Sequence, residues 1–296
     1  MTSFLYRFFY EIFNSVMPPS YIAKRIYKKR MGKKLDLLHP KDLNEKINWL
    51  KFYGDTSRWT QLADKYRVRE FVQERGLGHI LIPLYAKWDN ANDISFDNLP
   101  NSFVLKTNHG SGEVMVIKDK NNANINYVKE EFKKHLKTEF GKYQAEPHYR
   151  KIKRCVVAEE FLDSSKLGFT TSLVDYKIWC FDGKPYYIWA CYSRTKDKVY
   201  VETYDLNWNY HPEKSVFTDH YRDGKGIVPK PKKLDEMLKI ASILSKGFPE
   251  VRVDLYEHEG KVYFGEMTFT SNGGYQDFYT QEFLDELGSY VKLPID

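Results

Sequence analysis

Apolar residues recur at helical spacing at the start of the chain, where Phe4, Leu5, Phe8, Phe9, Ile12, Phe13, Val16 and Met17 form one stripe interrupted by Arg7 and Glu11. This spacing predicts an amphipathic helix over residues 1–17, ending at Pro18-Pro19. Asn44 to Leu50 starts a second, short helix. Trp59 to Arg75 reads as a longer one, with Leu62, Ala63, Tyr66, Phe71 and Val72 inward and Gly76 and Gly78 closing it. The pattern then changes to alternation or short apolar runs. His79 to Ala86, Phe103 to Leu105, Val114 to Ile117, Cys155 to Ala158 and Val199 to Tyr204 read as strands, and Leu173 to Phe181 with Lys184 to Tyr192 as a hairpin around Asp182-Gly183. Val128 to Phe140 and Leu234 to Lys246 have helical spacing, and the polar, proline-rich stretch from Asn207 to Lys233 reads as a surface excursion. Helices alternating with antiparallel hairpins predict an α+β fold, not a doubly wound parallel sheet.

The last two strands carry charge in their alternation. Val251-Arg252-Val253-Asp254-Leu255-Tyr256 and Phe264-Gly265-Glu266-Met267-Thr268 flank His258-Glu259-Gly260, which reads as a three-residue hairpin loop. In that register Tyr256 and Glu257 meet Val262 and Lys261, Arg252 lies opposite Glu266, and Asp254 is diagonal to Glu266 on the same face. Two readings fit: a half-exposed hairpin with an Arg/Glu pair, or a face that holds a divalent metal on a nucleotide's phosphates.

Composition narrows the class. The chain has 296 residues, 42% hydrophobic and 16% aromatic, enough for two or three lobes with a substantial core. Its formal charge of +6 is concentrated in Lys24, Arg25, Lys28, Lys29, Arg30, Lys33 and Lys34. An anionic partner follows, and charge alone does not choose among nucleotide, acidic polysaccharide, phospholipid surface and nucleic acid. No recognition motif accompanies the basic run, which disfavours nucleic acid. Cys155, Cys180 and Cys191 lie in apolar runs without CxxC spacing, as buried free thiols in a reducing compartment would. The amphipathic start has neither the unbroken apolar run of a signal peptide nor the ~20 apolar residues of a span. It suits an anionic inner-membrane surface, or docking on the body of the protein or on a partner.

Lys106 closes the buried run Phe103-Val104-Leu105 just before Thr107-Asn108-His109-Gly110-Ser111-Gly112-Glu113. Such a loop lets backbone N–H groups approach phosphate while the lysine supplies charge, although a plain hairpin loop has the same outline. It is not a Walker A sequence, because a strand follows. His109 could carry a proton or simply contact phosphate or solvent. Downstream come the acidic strand end Val156-Val157-Ala158-Glu159-Glu160-Phe161-Leu162, then Asp175-Tyr176-Lys177, then the Arg252/Asp254 and Glu266 strands.

That order resembles the ATP-grasp superfamily. Asn44-Glu45-Lys46-Ile47-Asn48-Trp49-Leu50, Asp64-Lys65-Tyr66-Arg67-Val68-Arg69 and Leu105-Lys106-Thr107-Asn108-His109-Gly110-Ser111-Gly112 resemble its teichuronopeptide-biosynthesis, TupA-like branch, with the likeness running from about residue 40 to about residue 275. The resemblance implies two α+β lobes clamping ATP, preceded by an N-terminal helical extension. The divisions would be a basic helical segment over 1–55, a linker lobe over 56–100, a small lobe over 101–162 and a large lobe over 163–296.

Carried over, Lys106 would hold the α- and β-phosphates under a lid of Gly110, Ser111 and Gly112. Glu159, Glu160 and Leu162 would frame the adenosine, and Arg69 would be a second phosphate-contacting cation. Asp254 and Glu266 would bind Mg²⁺, and Lys177 and Arg252 would face the γ-phosphate or an acyl-phosphate. Relatives commonly place asparagine two residues after the bridging glutamate; here Thr268 stands there, with Asn272 further on, which leaves a second metal open. The activity implied is ATP-dependent ligation of a uronic acid carboxylate to an amino acid or similar amine, through an acyl-phosphate, in cell-surface polysaccharide synthesis. The partners implied are an acidic glycan or lipid-linked sugar acceptor and an amine donor, met in the cytoplasm at the inner membrane face. A glycan phosphotransferase and a non-catalytic scaffold subunit are the rival readings of the same site.

Overall fold

The computed structural model describes residues 17–294, so the amphipathic start lies, Met17 apart, outside the described residues. The chain runs α1 (Pro19–Met31), α2 (Leu43–Tyr53), α3 (Trp59–Leu62), α4 (Val68–Glu74), β1 (Leu84–Trp88), β2 (Phe103–Thr107), β3 (Val114–Ile117), α5 (Ile125–Lys137), α6 (Pro147–Arg150) and β4 (Val156–Glu160). It continues with β5 (Asp175–Phe181), β6 (Lys184–Tyr192), β7 (Val199–Asp205), β8 (Tyr221–Asp223), α7 (Leu234–Ser245), β9 (Val251–His258), β10 (Lys261–Thr268) and α8 (Gln281–Tyr290). The strands form a four-stranded sheet ordered β1-β4-β2-β3 and a six-stranded sheet ordered β10-β9-β5-β6-β7-β8. All pairings are antiparallel except β7 with β8. The fold is α+β, as expected.

Alternation gives each sheet one apolar and one polar face. In the small sheet Phe103, Leu105, Val156 and Ala158 share a core with Val128 and Phe132 of α5, the larger side chains each worth about 1.5–3 kcal/mol when fully buried. Val104, Lys106, Val157 and Glu159 are left on the other face. In the large sheet Val251, Val253 and Leu255 are fully buried in the core that contains Met237, Ala241 and Leu244 of α7, and Arg252 and Asp254 point the opposite way.

Four local expectations change. The helix expected over 59–75 breaks after Leu62, because the buried Asp64 carboxylate accepts the N–H groups of Tyr66 (2.9 Å) and Arg67 (3.2 Å) in a turn that competes with helical bonds. The strand expected at His79 starts only at Leu84, after a 3₁₀ turn over Gly78–Ile80 and after Pro83, which has no N–H to give a ladder.

The β9–β10 turn has two residues, not three. Glu259 (φ 48°) and Gly260 (φ 75°) are both left-handed, as a type I′ turn requires. A bulge at Gly265 then shifts the register again, so that Glu266 lies opposite Asp254 and Thr268 opposite Arg252, in place of the expected Arg252/Glu266 pair. Only glycine suits the bulge, since a Cβ on residue 265 would lie 2.9 Å from the Asp254 carbonyl oxygen.

Finally, the 207–233 excursion is tied to the sheet. The buried Glu202 carboxylate of β7 accepts the N–H groups of Ile227 (3.0 Å) and Val228 (3.2 Å) and the hydroxyls of Tyr192 and Tyr204.

Helix α2 starts with a capping box of Asp42 and Glu45. Its other polar residues are buried too. Asn44, Asn48 and Lys51, at i, i+4 and i+7, face the loop after β10: Asn44 Oδ1 accepts the Gln276 N–H (2.8 Å), Asn48 Nδ2 donates to the Gly274 carbonyl (2.8 Å) and Lys51 Nζ to that of Gly273 (2.8 Å). These bonds hold a backbone with consecutive positive φ at Asn272, Gly273 and Gly274. No helix among the described residues is long and apolar enough to cross a membrane.

Candidate active site

The polar faces of the two sheets carry the charged residues singled out above. On the small sheet, Glu159 accepts from Lys106 Nζ (2.5 Å) and from Arg69 Nη1 (3.4 Å), so a carboxylate on β4 joins cations from β2 and α4. Arg69 also donates to the Ile82 carbonyl (2.9 Å), and burial, opposed by Glu159, lowers its pKa. Glu160 lies at the strand end, half-buried, with its N–H bonded to the Pro83 carbonyl (3.0 Å), and Leu162 is buried just beyond.

The glycine loop is fixed at its base and open at its tip. Asn108 is buried, receives the Cys155 N–H on Oδ1 (2.8 Å) and donates through Nδ2 to the Lys153 carbonyl (2.9 Å). Gly110 is buried under the Glu113 side chain, whose carboxylate receives the Thr107 hydroxyl (2.5 Å); a Cβ at Gly110 would lie 2.0 Å from Glu113 Oε2. Ser111 and Gly112 are exposed, with Gly112 at φ 84°. His109 differs from expectation: it is buried, with Nε2 at 3.2 Å from the Thr138 carbonyl oxygen, and burial lowers its pKa. Its ring is almost wholly out of contact with solvent.

On the large sheet, Arg252 binds Asp254 in two places, Nε to Oδ1 at 2.7 Å and Nη2 to Oδ2 at 2.8 Å. Its remaining donors reach the Ser271 hydroxyl (2.6 Å), the Thr268 hydroxyl (3.2 Å) and Glu266 Oε1 (3.5 Å). Lys177 of β5 lies between Asp175 (2.5 Å) and Asp254 (2.5 Å). Burial disfavours its charge, yet the two carboxylates hold its pKa up at about 12. For Asp254, burial outweighs Arg252 and Lys177 and raises its pKa. Glu266, a third exposed, goes the other way: burial opposes its charge, but Lys65, Lys177 and Arg252 hold its carboxyl well below the usual range. The Thr268 hydroxyl donates to Glu266 Oε1 (3.1 Å), whereas Asn272 is turned toward Arg30 and Tyr275.

One cation joins the two faces. Lys65 Nζ donates to the Gly110 carbonyl (2.8 Å) and lies 3.3 Å from Glu266 Oε2. The sequence reading passed over Lys65, Ser271 and Asp175 as site residues. Lys65 had a signal, in the Asp-Lys motif, and Asp175 stood two residues before Lys177. Ser271 had none.

The model of the family described as TupA-like ATPgrasp matches residues 45–292. The chain belongs to that family. No curated protein matches this TupA-like ATP-grasp chain significantly. Solved structures similar to it include D-alanine–D-alanine ligase from Bacillus anthracis, at 17% identity and TM-score 0.40, over 71% of this chain and 57% of that one. The Helicobacter pylori D-alanine–D-alanine ligase gives 14% identity and TM-score 0.45, over 86% and 67%. Phosphoribosylamine–glycine ligase from Thermotoga maritima gives 13% and 0.41, over 74% and 52%. The TupA-like chain thus spans under two thirds of the length of the first and third of these proteins.

Proposed function

We propose that this protein is an ATP- and Mg²⁺-dependent carboxylate–amine ligase of cell-surface polysaccharide synthesis, joining a uronic acid carboxylate to an amino acid or similar amine. The observation that carries the reading is the set of five cations, Lys65, Arg69, Lys106, Lys177 and Arg252, on facing surfaces around Glu159, Asp175, Asp254 and Glu266. A polyphosphate entering between the sheets would meet cations on both sides. Lys106 and Arg69 suit its α- and β-phosphates, Gly110, Ser111 and Gly112 cover them, and Glu159, Glu160 and Leu162 border the adenosine.

Asp254 and Glu266 fit Mg²⁺. Glu266 is a third exposed and accepts three polar contacts against about four lone-pair sites, so it is open to a hard cation, whereas Asp254, 1% exposed and held by Arg252 and Lys177, would give up one of those contacts to reach the ion. Among the described residues no group of three or more His, Cys, Asp and Glu could hold a metal unaided, so Asp254, Glu266 and the Thr268 hydroxyl would hold the ion together with phosphate oxygens of the nucleotide. When bound, the ion supplies charge neutralisation at the phosphates. Arg252 and Lys177, whose charges the neighbouring carboxylates keep against burial, would stabilise the negative charge on the transferring phosphoryl group and the acyl-phosphate. The amine then attacks the acyl carbon and phosphate leaves. The acidic acceptor, free or lipid-linked, and the amine donor would be met in the cytoplasm.

The test is ADP release screened across uronic acids paired with amino acids at fixed Mg²⁺. Amine-dependent ADP with an amide product is expected. Phosphorylated glycan formed without amine would identify a phosphotransferase instead, and no turnover with any pair, together with retained ATP binding, would favour a scaffold.

A further inference from the structure

The loop after β10 carries two hydroxyls side by side, and both residues are buried. Ser271 accepts Arg252 Nη1 (2.6 Å). Thr270 donates its hydroxyl to Glu146 Oε1 (2.5 Å), a residue far away in the sequence. Glu146 stands just before α6, in a tight turn where its N–H reaches the Gly141 carbonyl (2.8 Å). Gly141 has φ 82°, and a Cβ there would lie 2.6 Å from the Glu146 carbonyl oxygen. Two further contacts join the same pieces of chain. The Tyr275 hydroxyl donates to the Gln144 carbonyl (3.2 Å), and Trp59 packs on both His148 and Phe269, with ring centroids 5.3 and 5.0 Å away.

We infer that Glu146 is a positioning residue for Arg252, acting through Thr270 to hold the Ser271 hydroxyl against the guanidinium. Adjacency supplies the first argument. Thr270 and Ser271 are neighbours, so one pair of soft backbone dihedrals separates the anchored side chain from the one that meets Arg252. The second argument is the way the rest of the loop is held. Asn272, Gly273 and Gly274 all have positive φ, and Lys51 and Asn48 fix that far end through the carbonyls of Gly273 and Gly274. Glu146 anchors the near end, next to Ser271 itself. The third argument is cost. Glu146 is 3% exposed, its Oε2 has no hydrogen-bond partner among the described residues, and burial pushes its carboxyl up to about 7 against the opposing influence of Lys51 and Thr270. An apolar pair of the same shape would tie the loop down without leaving an oxygen unsatisfied. What it would not provide is a fixed direction for the Thr270 side chain, because only a hydrogen bond is directional. The inference rests on the ligase reading for its effect on rate, and not for its geometry.

The test is steady-state ADP release from ATP, Mg²⁺ and a uronic acid–amino acid pair that the parent turns over. Thr270→Val keeps the shape and removes the hydroxyl. It should lower kcat about tenfold and leave KM for ATP unchanged, as displacement of a group that acts on the transition state does. Glu146→Met should do the same, and Glu146→Gln, which keeps an acceptor oxygen, should restore most of the rate. In the double variant Thr270→Val should add no further loss to Glu146→Met, because both remove one bond. A second readout needs no substrate. The Arg252 guanidinium protons, followed by nitrogen-15 NMR and identified by their disappearance in Arg252→Lys, should exchange with solvent about tenfold faster in Thr270→Val. Parent-like kcat in Thr270→Val, additive losses in the double variant, or unaltered guanidinium exchange would each overturn the inference. Absence of turnover in the parent with every substrate pair would overturn the ligase reading instead, and the exchange measurement would then decide the inference alone. Melting curves check that each variant folds; should Glu146→Met fail to, Thr270→Val and the exchange readout carry the test.

Discussion

The two facing surfaces solve the same electrostatic problem differently. On the small sheet a single carboxylate, Glu159, is shared by Lys106 and Arg69, whose side chains are 16% and 17% exposed, and one of the contacts is as long as 3.4 Å. On the large sheet Arg252 is gripped by Asp254 in two places and by Ser271, with side-chain exposures of 8% and 1% for the first two. The first arrangement can exchange partners when a ligand arrives. The second holds charge in one geometry, and removing Arg252 leaves the buried Asp254 with Lys177 alone as counter-ion.

This difference can be tested. The largest effect is expected for Glu266→Gln, which keeps the shape but removes the charge beside Lys65 and Arg252. ATP turnover should fall by roughly two to three orders of magnitude, as loss of a charge-organising group does. Nucleotide binding followed by calorimetry should survive; unchanged turnover would remove Glu266 from the machinery.

Next, Arg252→Met should cost about 1.5–3 kcal/mol in urea unfolding, because the buried Asp254 loses its two-point partner and keeps Lys177 alone as counter-ion. Lys106→Met should shift the urea midpoint far less, since Arg69 still pairs with Glu159, and should instead raise KM for ATP about tenfold. Equal destabilisation by both would erase the proposed contrast.

Gly110→Ala drives a Cβ to 2.0 Å from Glu113 Oε2, so the Glu113–Thr107 bond must break. We expect weaker ATP binding that the second substitution Glu113→Ala partly restores, measured as a double-mutant cycle.

The last effect is confined to acid pH. His148 is buried with both ring nitrogens unpartnered, packed on Trp59 with centroids 5.3 Å apart, and burial, aided by Lys51 and Lys151, depresses its pKa to about 3. A histidine depressed on folding takes up its proton more readily when unfolded. Stability from this group is therefore intact above pH ~6.5 and falls as pH drops toward 3, by at most about 1.4 kcal/mol per pH unit. In His148→Phe that part of the acid limb should flatten, and an unaltered limb would show that other groups set it.

Much of the site was legible because strands alternate. Lys106, Arg252 and Asp254 stand at every second position between apolar residues, so their common direction follows from period two. The register of Glu266 was not legible. It depends on the two-residue turn and on the bulge at Gly265, and a glycine after Phe264 has no unique meaning until the Asp254 carbonyl is seen against it. The break at Asp64 was hidden likewise, since apolar spacing continues through it. Nothing in the spacing of Asn44, Asn48 and Lys51 announces their burial, which depends on distant carbonyls at Gly273 and Gly274 that need donors.

Lys65 has a further consequence. One ammonium spans from the Gly110 carbonyl to the Glu266 carboxylate, so it acts as a gauge of the gap between the sheets. Any widening must release one of the two ends to water, and the freed charge is then open to screening by ions. The gap should therefore widen more readily in concentrated salt than in dilute buffer, and the ammonium resonance of Lys65 would report it directly.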